Sequence, residues 1–161
     1  MTIDGPAGAG KTTLSEILKS ELRMREISTE VIHMDDLYDG WENALGIKLE
    51  QALQDIECQT QGDEIVYPIY NWQQMKYSRI KSIPTPRILI LEGVGAGQSG
   101  VRDRVDLSIW VDIDPDEGIS RAISRDGQSI AAYMQSWKQA QELHFAEHHT
   151  RQSATFTVVM D

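Results

Sequence analysis

Gly5-Pro6-Ala7-Gly8-Ala9-Gly10-Lys11-Thr12 is the stretch that decides the fold, since it satisfies the pattern G-x-x-x-x-G-K-[ST]. The residues before it, Met1 to Asp4, predict a short strand. After it, leucine and isoleucine recur at helical spacing and predict an amphipathic helix from about Lys11 to Arg25. A strand, a glycine-rich turn and a helix in this order direct backbone N–H groups at one point, which favours a phosphate group. A chance match is the alternative, and this context argues against it.

The glycine-rich motif is expected to bind ATP or GTP together with Mg²⁺, with ATP as the expected phosphoryl donor. Lys11 should reach the β- and γ-phosphates, and the hydroxyl of Thr12 should be a ligand of Mg²⁺. Thr13 is expected either to support the α-phosphate or to cap the helix. The predicted nucleotide-binding residues are Gly5, Ala7, Gly8, Ala9, Gly10, Lys11, Thr12 and Thr13.

Two continuous apolar runs further along the chain predict strands that are buried on both faces of a parallel sheet. One covers residues 87–91 and ends in Glu92-Gly93, and the other covers residues 105–113 and ends in Asp114-Pro115. The remaining predicted elements are strands at about 29–34 and 154–160 and helices at about 45–56, 115–125 and 130–149. Strands that alternate with helices predict an α/β fold, a three-layer α/β/α P-loop NTPase domain over residues 1–161 with a mostly parallel sheet of about five strands.

The segment from about residue 67 to residue 86 is less regular. It contains three prolines, several aromatic residues and the cations Lys76, Arg79 and Lys81. This composition suits a surface loop or flap, and loops of this kind often contact substrates. We therefore expect an acceptor-side loop over about residues 67–86.

Composition disfavours several kinds of partner. The formal net charge of −10 and the sequence pI near 4.8 oppose nucleic acid, because nucleic-acid binders usually display a basic patch. The single cysteine, Cys58, rules out an internal disulfide. No apolar run approaches the roughly 20 residues that cross a bilayer, so we expect no membrane association and a cytoplasmic location. The sequence is compatible with a homo-oligomer.

A phosphate-binding loop of this type needs a further carboxylate to orient Mg²⁺, usually at the end of a buried strand. Glu92 follows one of the two apolar runs and is the better candidate. Asp112 and Asp114 end the other run, but Asp114-Pro115 is also the pattern of a helix N-cap followed by proline. The predicted metal-side residues are therefore Thr12 and Glu92.

Acidic residues cluster after the second predicted strand, where Asp35, Asp36, Asp39 and Glu42 have no basic neighbour in the sequence. Their field would repel an acceptor that is already phosphorylated, which favours a neutral hydroxyl group as acceptor. Asp35 is the candidate that accepts the proton of this hydroxyl. The alternative is that Asp35 and Asp36 only cap or solvate a loop, since aspartate is common in turns.

Four aromatic residues could form a wall for a base or a sugar: Tyr38, Trp41, Tyr70 and Trp72. Aromatic residues at such spacings also commonly pack a core or cover a loop. Both interpretations are open from the sequence.

Four stretches resemble the uridine kinase and phosphoribulokinase group of P-loop kinases: Gly5 to Thr13, Met34 to Tyr38, Pro68 to Asn71, and Leu91 to Gly93. The resemblance spans most of the chain in order, although only the first stretch is specific by itself. It implies that Asp35 orients or deprotonates the acceptor hydroxyl and that Tyr70 contacts the acceptor. The aspartate that ends the third stretch in the family is Asn71 here, and the histidine that follows it in the family has no counterpart around Met75.

The stretch from Arg121 to Asp126 resembles the arginine-bearing lid of these kinases, as a short lid over about residues 121–127. The resemblance implies that Arg121 and Arg125 clamp phosphates during transfer. The candidate catalytic residues are Lys11, Asp35, Arg121 and Arg125. The candidate acceptor-binding residues are Asp35, Tyr38, Tyr70 and Trp72.

These observations predict an ATP-dependent small-molecule kinase that transfers the γ-phosphoryl group to a hydroxyl of a nucleoside-like acceptor. A nucleoside monophosphate kinase is one alternative, for which Lys76, Arg79 and Arg87 would have to bind the acceptor phosphate. A nucleotide-dependent switch or ATPase without a small acceptor is another, although the N-K-x-D element of many GTPases is absent from the sequence.

Overall fold

The computed structural model describes residues 1–160 of the chain. Its strands are β1 (Thr2–Asp4), β2 (Thr29–His33), β3 (Glu64–Asn71), β4 (Lys76–Pro84), β5 (Ile88–Glu92), β6 (Ser108–Asp112) and β7 (Phe156–Val159). Its helices are α1 (Lys11–Met24), α2 (Met34–Leu37), α3 (Gly40–Asn43), α4 (Ile47–Gln59), α5 (Ser99–Arg102), α6 (Pro115–Asp126), α7 (Ala131–His148) and α8 (Thr150–Ser153). A 3₁₀ turn over Gln128–Ile130 connects α6 to α7.

Five strands form one parallel sheet in the order β2-β5-β1-β6-β7. β1 lies at its centre, where Ile3 pairs with Glu92 of β5 and with Ile109 of β6. Ile3, Ile90 and Val111 are fully buried, as expected for central strands that are covered on both faces. The predicted three-layer α/β/α fold with a mostly parallel sheet of about five strands is confirmed.

Hydrophobic cores lie on both faces of this sheet. Val31 and Ile90 belong to one core, against which Leu14 of α1 packs. The residues that follow them in each strand, Ile32 and Leu91, belong to a larger core built with α4, α7 and the segment 65–83. Successive side chains of a strand point to opposite faces, so the two cores are separated by the sheet.

The segment predicted as a loop over residues 67–86 is instead mostly an antiparallel hairpin of β3 and β4. Ile65, Tyr67 and Ile69 are buried and alternate with exposed residues, which is the period of a strand with one covered face. Both strands of a two-stranded sheet are edge strands, where Pro68 and Pro84 are tolerated. The prolines therefore did not interrupt the strands.

Local sequence explains where α6 begins beside the site. The Asp114 carboxylate accepts hydrogen bonds from the N–H groups of Asp116 and Glu117, and Pro115 occupies the first helical turn. Asp114 is therefore an N-cap, which was one of its two interpretations. Within residues 1–160, no helix combines the length and the hydrophobicity that a membrane span requires.

Candidate active site

The glycine-rich loop between β1 and α1 lies very close to two backbone segments. A Cβ atom at Gly5 would lie 2.2 Å from the carbonyl oxygen of Val111, and one at Gly8 would lie 2.1 Å from that of Gly118. Gly5 and Gly8 also have positive φ angles of 144° and 75°. Only glycine allows this approach and this backbone conformation, so β6 and α6 together shape the loop.

Lys11 is buried at the start of α1, and its ammonium group is directed at the glycine-rich loop. Its Nζ donates hydrogen bonds to the carbonyl oxygens of Gly5 and Pro6, at 2.8 and 2.7 Å. Burial lowers the pKa of Lys11, and the Asp4 carboxylate is the largest influence that opposes this shift. Lys11 is therefore held within the loop by two backbone acceptors.

Two cavities meet at this loop, one of about 550 Å³ (the main cavity) and one of about 270 Å³ (the side cavity). Both are lined by Gly8, Lys11, Thr12, Ala122 and Arg125. The other predicted nucleotide-binding residues are divided between them. Ala7 lines the main cavity, and Gly10 and Thr13 line the side cavity. Gly5 and Ala9 are buried and line neither cavity.

Glu92, at the carboxyl end of β5, is in direct contact with α1. Its Oε1 accepts a hydrogen bond of 3.0 Å from the hydroxyl of Thr12, and its side chain is buried at the wall of the main cavity. Asp112 is engaged elsewhere, because it accepts from Trp110 Nε1 and pairs with Arg151. Of the three carboxylates that were considered for the metal side, Glu92 is the one that contacts the glycine-rich motif.

His33 is a residue of this site that the sequence analysis missed. Its Nδ1 lies 2.5 Å from Glu92 Oε1, the oxygen that also accepts from Thr12. This hydrogen bond raises the pKa of His33, against the opposing effect of burial. β2 and β5 are paired so that His33 is the direct neighbour of Glu92. The relevant signal is strand register, which a single sequence does not reveal.

Asp35 lies in α2, directly after β2, and its side chain is open to the main cavity. Removal from bulk water within the cleft raises the pKa of Asp35, and the nearby Glu92 carboxylate raises it further. The structure thus brings Asp35 into the same cavity as Lys11 and Thr12. Its neighbour Asp36 does not line that cavity.

Aromatic side chains line much of the main cavity. Tyr38, Trp41 and Trp72, which the sequence suggested, are among them, and α7 adds Tyr133 and Trp137, which it did not. Tyr70 is placed differently: its buried ring packs on Trp72 and Tyr77, with centroids 5.1 and 5.3 Å apart, and does not line the cavity. Helical periodicity predicted α7, but the cavity-facing side of that helix depends on the tertiary packing.

The two arginines that were predicted to belong to a lid, Arg121 and Arg125, lie on α6 and have different surroundings. Arg125 lines both cavities and forms a bidentate pair with Asp126, at 2.7 and 2.6 Å. Arg121 lines only the side cavity and pairs with Glu117 at 2.7 Å. Arg125 is therefore the one of these two arginines that lines both cavities.

Two buried polar residues support the glycine-rich loop and were also missed. The Asp4 carboxylate accepts from the N–H groups of Gly5, Gly95 and Gly97, at 2.7, 3.1 and 2.8 Å. Burial raises the pKa of Asp4 to about 6. Gln141 Oε1 accepts a 3.0 Å hydrogen bond from Ala7 N across 134 residues of sequence. The contacts of Asp4 with Gly95 and Gly97 and that of Gln141 with Ala7 join distant parts of the chain, so no local pattern identifies them.

Comparisons with known proteins point to one family. A family model described as the Phosphoribulokinase / Uridine kinase family matches residues 41–160, which is well over half of the chain. A chloroplastic uridine/cytidine kinase from Arabidopsis thaliana is 26% identical over 140 residues, covering 77% of this chain and 29% of that protein. A uridine kinase from Chlamydia pneumoniae is 28% identical over 142 residues, covering 78% of this chain and 63% of that protein.

The chain therefore spans less than two thirds of the length of these two relatives. Among solved structures, that of a possible uridine kinase from Bacillus stearothermophilus has a TM-score of 0.73 at 20% identity. The match covers 98% of this chain and 86% of the other. At this level of identity the similarity demonstrates a shared fold.

Proposed function

Since the chain belongs to the phosphoribulokinase/uridine kinase family, we propose that it transfers the γ-phosphoryl group of ATP to a hydroxyl of a nucleoside-like acceptor. The observation that carries this proposal is the main cavity, which Lys11, Thr12 and Asp35 line together. Phosphoryl transfer to an alcohol needs a triphosphate site and a nearby group that accepts the hydroxyl proton. The residues that we propose for both line one cavity.

Mg²⁺ fits the residues at Thr12 and Glu92. Their side-chain oxygens are 3.0 Å apart, so a hydroxyl and a carboxylate converge at the edge of the glycine-rich motif. Oxygen ligands of this kind are those that Mg²⁺ prefers. Thr12 and Glu92 would hold the ion, which when bound neutralises part of the phosphate charge.

Lys11 and Arg125 are the cations of the main cavity. Lys11 now donates to two neutral carbonyls, and a phosphate would offer it stronger, charge-assisted hydrogen bonds. Arg125 reaches both cavities from α6, where its guanidinium can stabilise charge on the group being transferred. These two residues therefore approach the phosphate site from α1 and from α6.

Asp35 would accept the proton of the acceptor hydroxyl. Its raised pKa makes it a stronger base than an aspartate in water, while its place in the cavity keeps it beside the phosphate site. A hydroxyl bound between Asp35 and Lys11 would be both oriented and deprotonated as the phosphoryl group is transferred.

A monophosphate acceptor has less support. The cations that it would require, Lys76, Arg79 and Arg87, do not line the main cavity. Lys76 and Arg79 lie on the exposed strand β4, and Arg87 lines a separate cavity near the amino end of β5. We therefore favour an acceptor without a phosphate group.

The test is ADP release from ATP and Mg²⁺ across a panel of nucleosides, nucleoside monophosphates, sugars and pantothenate. Lys11→Ala is the blank, with circular dichroism to verify that this variant is folded. We expect at least one unphosphorylated alcohol to stimulate turnover by the wild-type protein and not by the blank. If only monophosphates stimulated ADP release, the protein would be a nucleoside monophosphate kinase and the proposal would be wrong. If ATP were hydrolysed at a rate that no compound of the panel increased, both kinase activities would be contradicted.

A further inference from the structure

Five aromatic side chains form a continuous cluster in the main cavity, which we call the aromatic box: Tyr38, Trp41, Trp72, Tyr133 and Trp137. Trp41 is at its centre, with ring centroids 5.0 Å from Trp72, 5.1 Å from Tyr133 and 5.8 Å from Trp137. The box is built from the residue after α2, from α3 and α7, and from the turn after β3. It therefore brings aromatic side chains from several elements to one wall of the cavity.

The polar atoms of the box are partly directed into the protein. The hydroxyl of Tyr38 donates to the carbonyl oxygen of Val94 at 2.7 Å, and Trp72 Nε1 donates to that of Asp35 at 3.0 Å. Among residues 1–160, no asparagine, glutamine or histidine lines the main cavity. Five of its other polar side chains lie around the glycine-rich motif: Lys11, Thr12, Asp35, Glu92 and Arg125. Asp126 is paired with Arg125. Ser129, the hydroxyl of Tyr133 and the indole N–H groups of Trp41 and Trp137 are the further polar groups of the cavity wall.

Asn71 does not supply the missing polar contact. Its Oδ1 accepts a 2.8 Å hydrogen bond from Gln74 N, which fixes the turn of the hairpin, and its side chain does not line the cavity. The aromatic part of the cavity thus has five aromatic side chains and, besides their own polar atoms, the single hydroxyl of Ser129, so it offers few groups that could pair with the edge of a nucleobase.

Trp41 and Tyr133 stack on each other in the aromatic box, and this is the kind of contact that a flat ligand ring would make. The two rings are nearly parallel, with an interplanar angle of 5°, and Tyr133 is about half exposed. Trp41 therefore already accepts a parallel ring on its face, in a part of the site that is open to solvent. Aromatic side chains hold flat ligands through such offset stacking and through the burial of apolar surface.

On the basis of the proposed kinase function, we infer that the acceptor is an alcohol on a flat ring system, recognised through the ring faces and not through the hydrogen-bonding edge. Sites that pair with polar ligand groups reject analogues without those groups by about 10⁴–10⁵-fold, because their own polar atoms are left unpaired. Apolar sites discriminate far less, by about 10–200-fold for a whole methylene group. The aromatic box should therefore tolerate changes at the ring edge.

The test compares uridine with a phenyl riboside, in which a benzene ring replaces uracil and removes every edge donor and acceptor. The two compounds keep the same hydroxyl group for transfer. We expect their kcat/KM values to agree within about tenfold, as for an apolar site. A loss of about 10³-fold or more for the phenyl riboside, with uridine active, would overturn the inference and leave the proposed function standing.

Binding can be measured without turnover by tryptophan fluorescence. Trp41, Trp72 and Trp137 line the cavity, while the fourth tryptophan, Trp110, is buried against Phe145. Quenching by both compounds with similar dissociation constants would support the inference even if no alcohol were phosphorylated. Quenching by uridine alone, or by neither compound at millimolar concentration, would contradict it.

Trp41→Ala and Trp41→Phe form a matched pair of variants. Phenylalanine keeps an aromatic ring at this partly exposed position, and alanine removes it. Trp41→Ala should therefore bind both compounds about tenfold or more weakly than Trp41→Phe does. The unfolding transition of each variant would show whether the fold is retained. If Trp41→Ala weakened the binding of uridine but not that of the phenyl riboside, the site would recognise the edge of the base, and the inference would be wrong.

Discussion

At the scale of single residues, one carboxylate oxygen connects three parts of the candidate site. Glu92 Oε1 accepts from Thr12 of the glycine-rich motif and from His33 of β2. His33 is a direct cross-strand neighbour of Glu92, so the pairing of β2 with β5 holds the carboxylate toward α1. His33 therefore positions Glu92.

Glu92→Gln tests the metal-side role of this carboxylate. The amide keeps the shape of the side chain but loses its charge. We therefore expect the Mg²⁺ concentration that gives half-maximal activity to rise by about tenfold or more. Asp112→Asn is the control, because Asp112 was the competing acid and pairs with Trp110 and Arg151 instead. A Mg²⁺ titration of turnover measures both. Equal Mg²⁺ requirements in the two variants would remove Glu92 from the metal side.

Asp35→Asn tests the proposed role of Asp35 as the acceptor of the hydroxyl proton. Loss of a general base should lower phosphoryl transfer by about 10²-fold or more. The affinity for ATP should change little, since Asp35 lines the main cavity but not the side cavity and is not part of the glycine-rich motif. The adjacent Asp36→Asn is a matched control, because Asp36 does not line the cavity. Single-turnover rates at saturating ATP measure the effect. If Asp35→Asn transferred phosphate as fast as Asp36→Asn, another group would have to take the proton.

At the scale of elements, α7 connects the aromatic box to the glycine-rich loop. Tyr133, Met134 and Trp137 of this helix line the cavity, and Gln141, one turn beyond Trp137, accepts from Ala7 N. These positions recur at the spacing of one helix face. One face of α7 therefore contacts both the cavity and the loop.

Gln141→Leu should weaken this connection. It leaves the N–H of Ala7 without its buried acceptor, a loss of about 1–3 kcal/mol, although it also removes Gln141 Nε2, which has no partner within the described residues. We therefore expect a net destabilisation near 1 kcal/mol and a higher KM for ATP. Gln139→Leu, on the exposed side of α7, is the control. Denaturant unfolding that gave the two variants equal stability would refute the structural part of this argument.

At the scale of the whole molecule, the sequence was informative wherever local pattern and tertiary structure agree. The glycine-rich motif and the apolar runs before Glu92 and Asp114 led directly to the parallel sheet. The hairpin was missed because Pro68 and Pro84 suggested a loop, whereas its open edges tolerate proline. Contacts between distant segments, such as those of His33 and Gln141, depend on register and helix rotation, which one sequence does not specify.

Two buried groups with opposite pH dependence influence the stability of the whole fold. Burial raises the pKa of Asp4 to about 6, so between its ordinary pKa near 3.8 and that value the folded state binds more protons, and stability falls as pH rises. Burial, and next the neighbouring His148, lower the pKa of His144 to about 4. Between that value and the ordinary 6.5 the unfolded state binds more protons, so stability falls as pH falls.

Two neutral variants separate these contributions. The free energy of unfolding of the wild type minus that of Asp4→Asn should decrease by about 1–3 kcal/mol from pH 4 to pH 6.5. The same difference for His144→Gln should instead increase by about 1–3 kcal/mol over this range. Urea unfolding at half-unit pH intervals measures both, and constant offsets between the proteins cancel because only the slopes are compared. If the two differences changed with pH in the same direction, one of the two groups would be in contact with water or with an unrecognised charge. If the difference for Asp4→Asn did not change with pH, the three N–H donors of Asp4 would compensate fully for its burial.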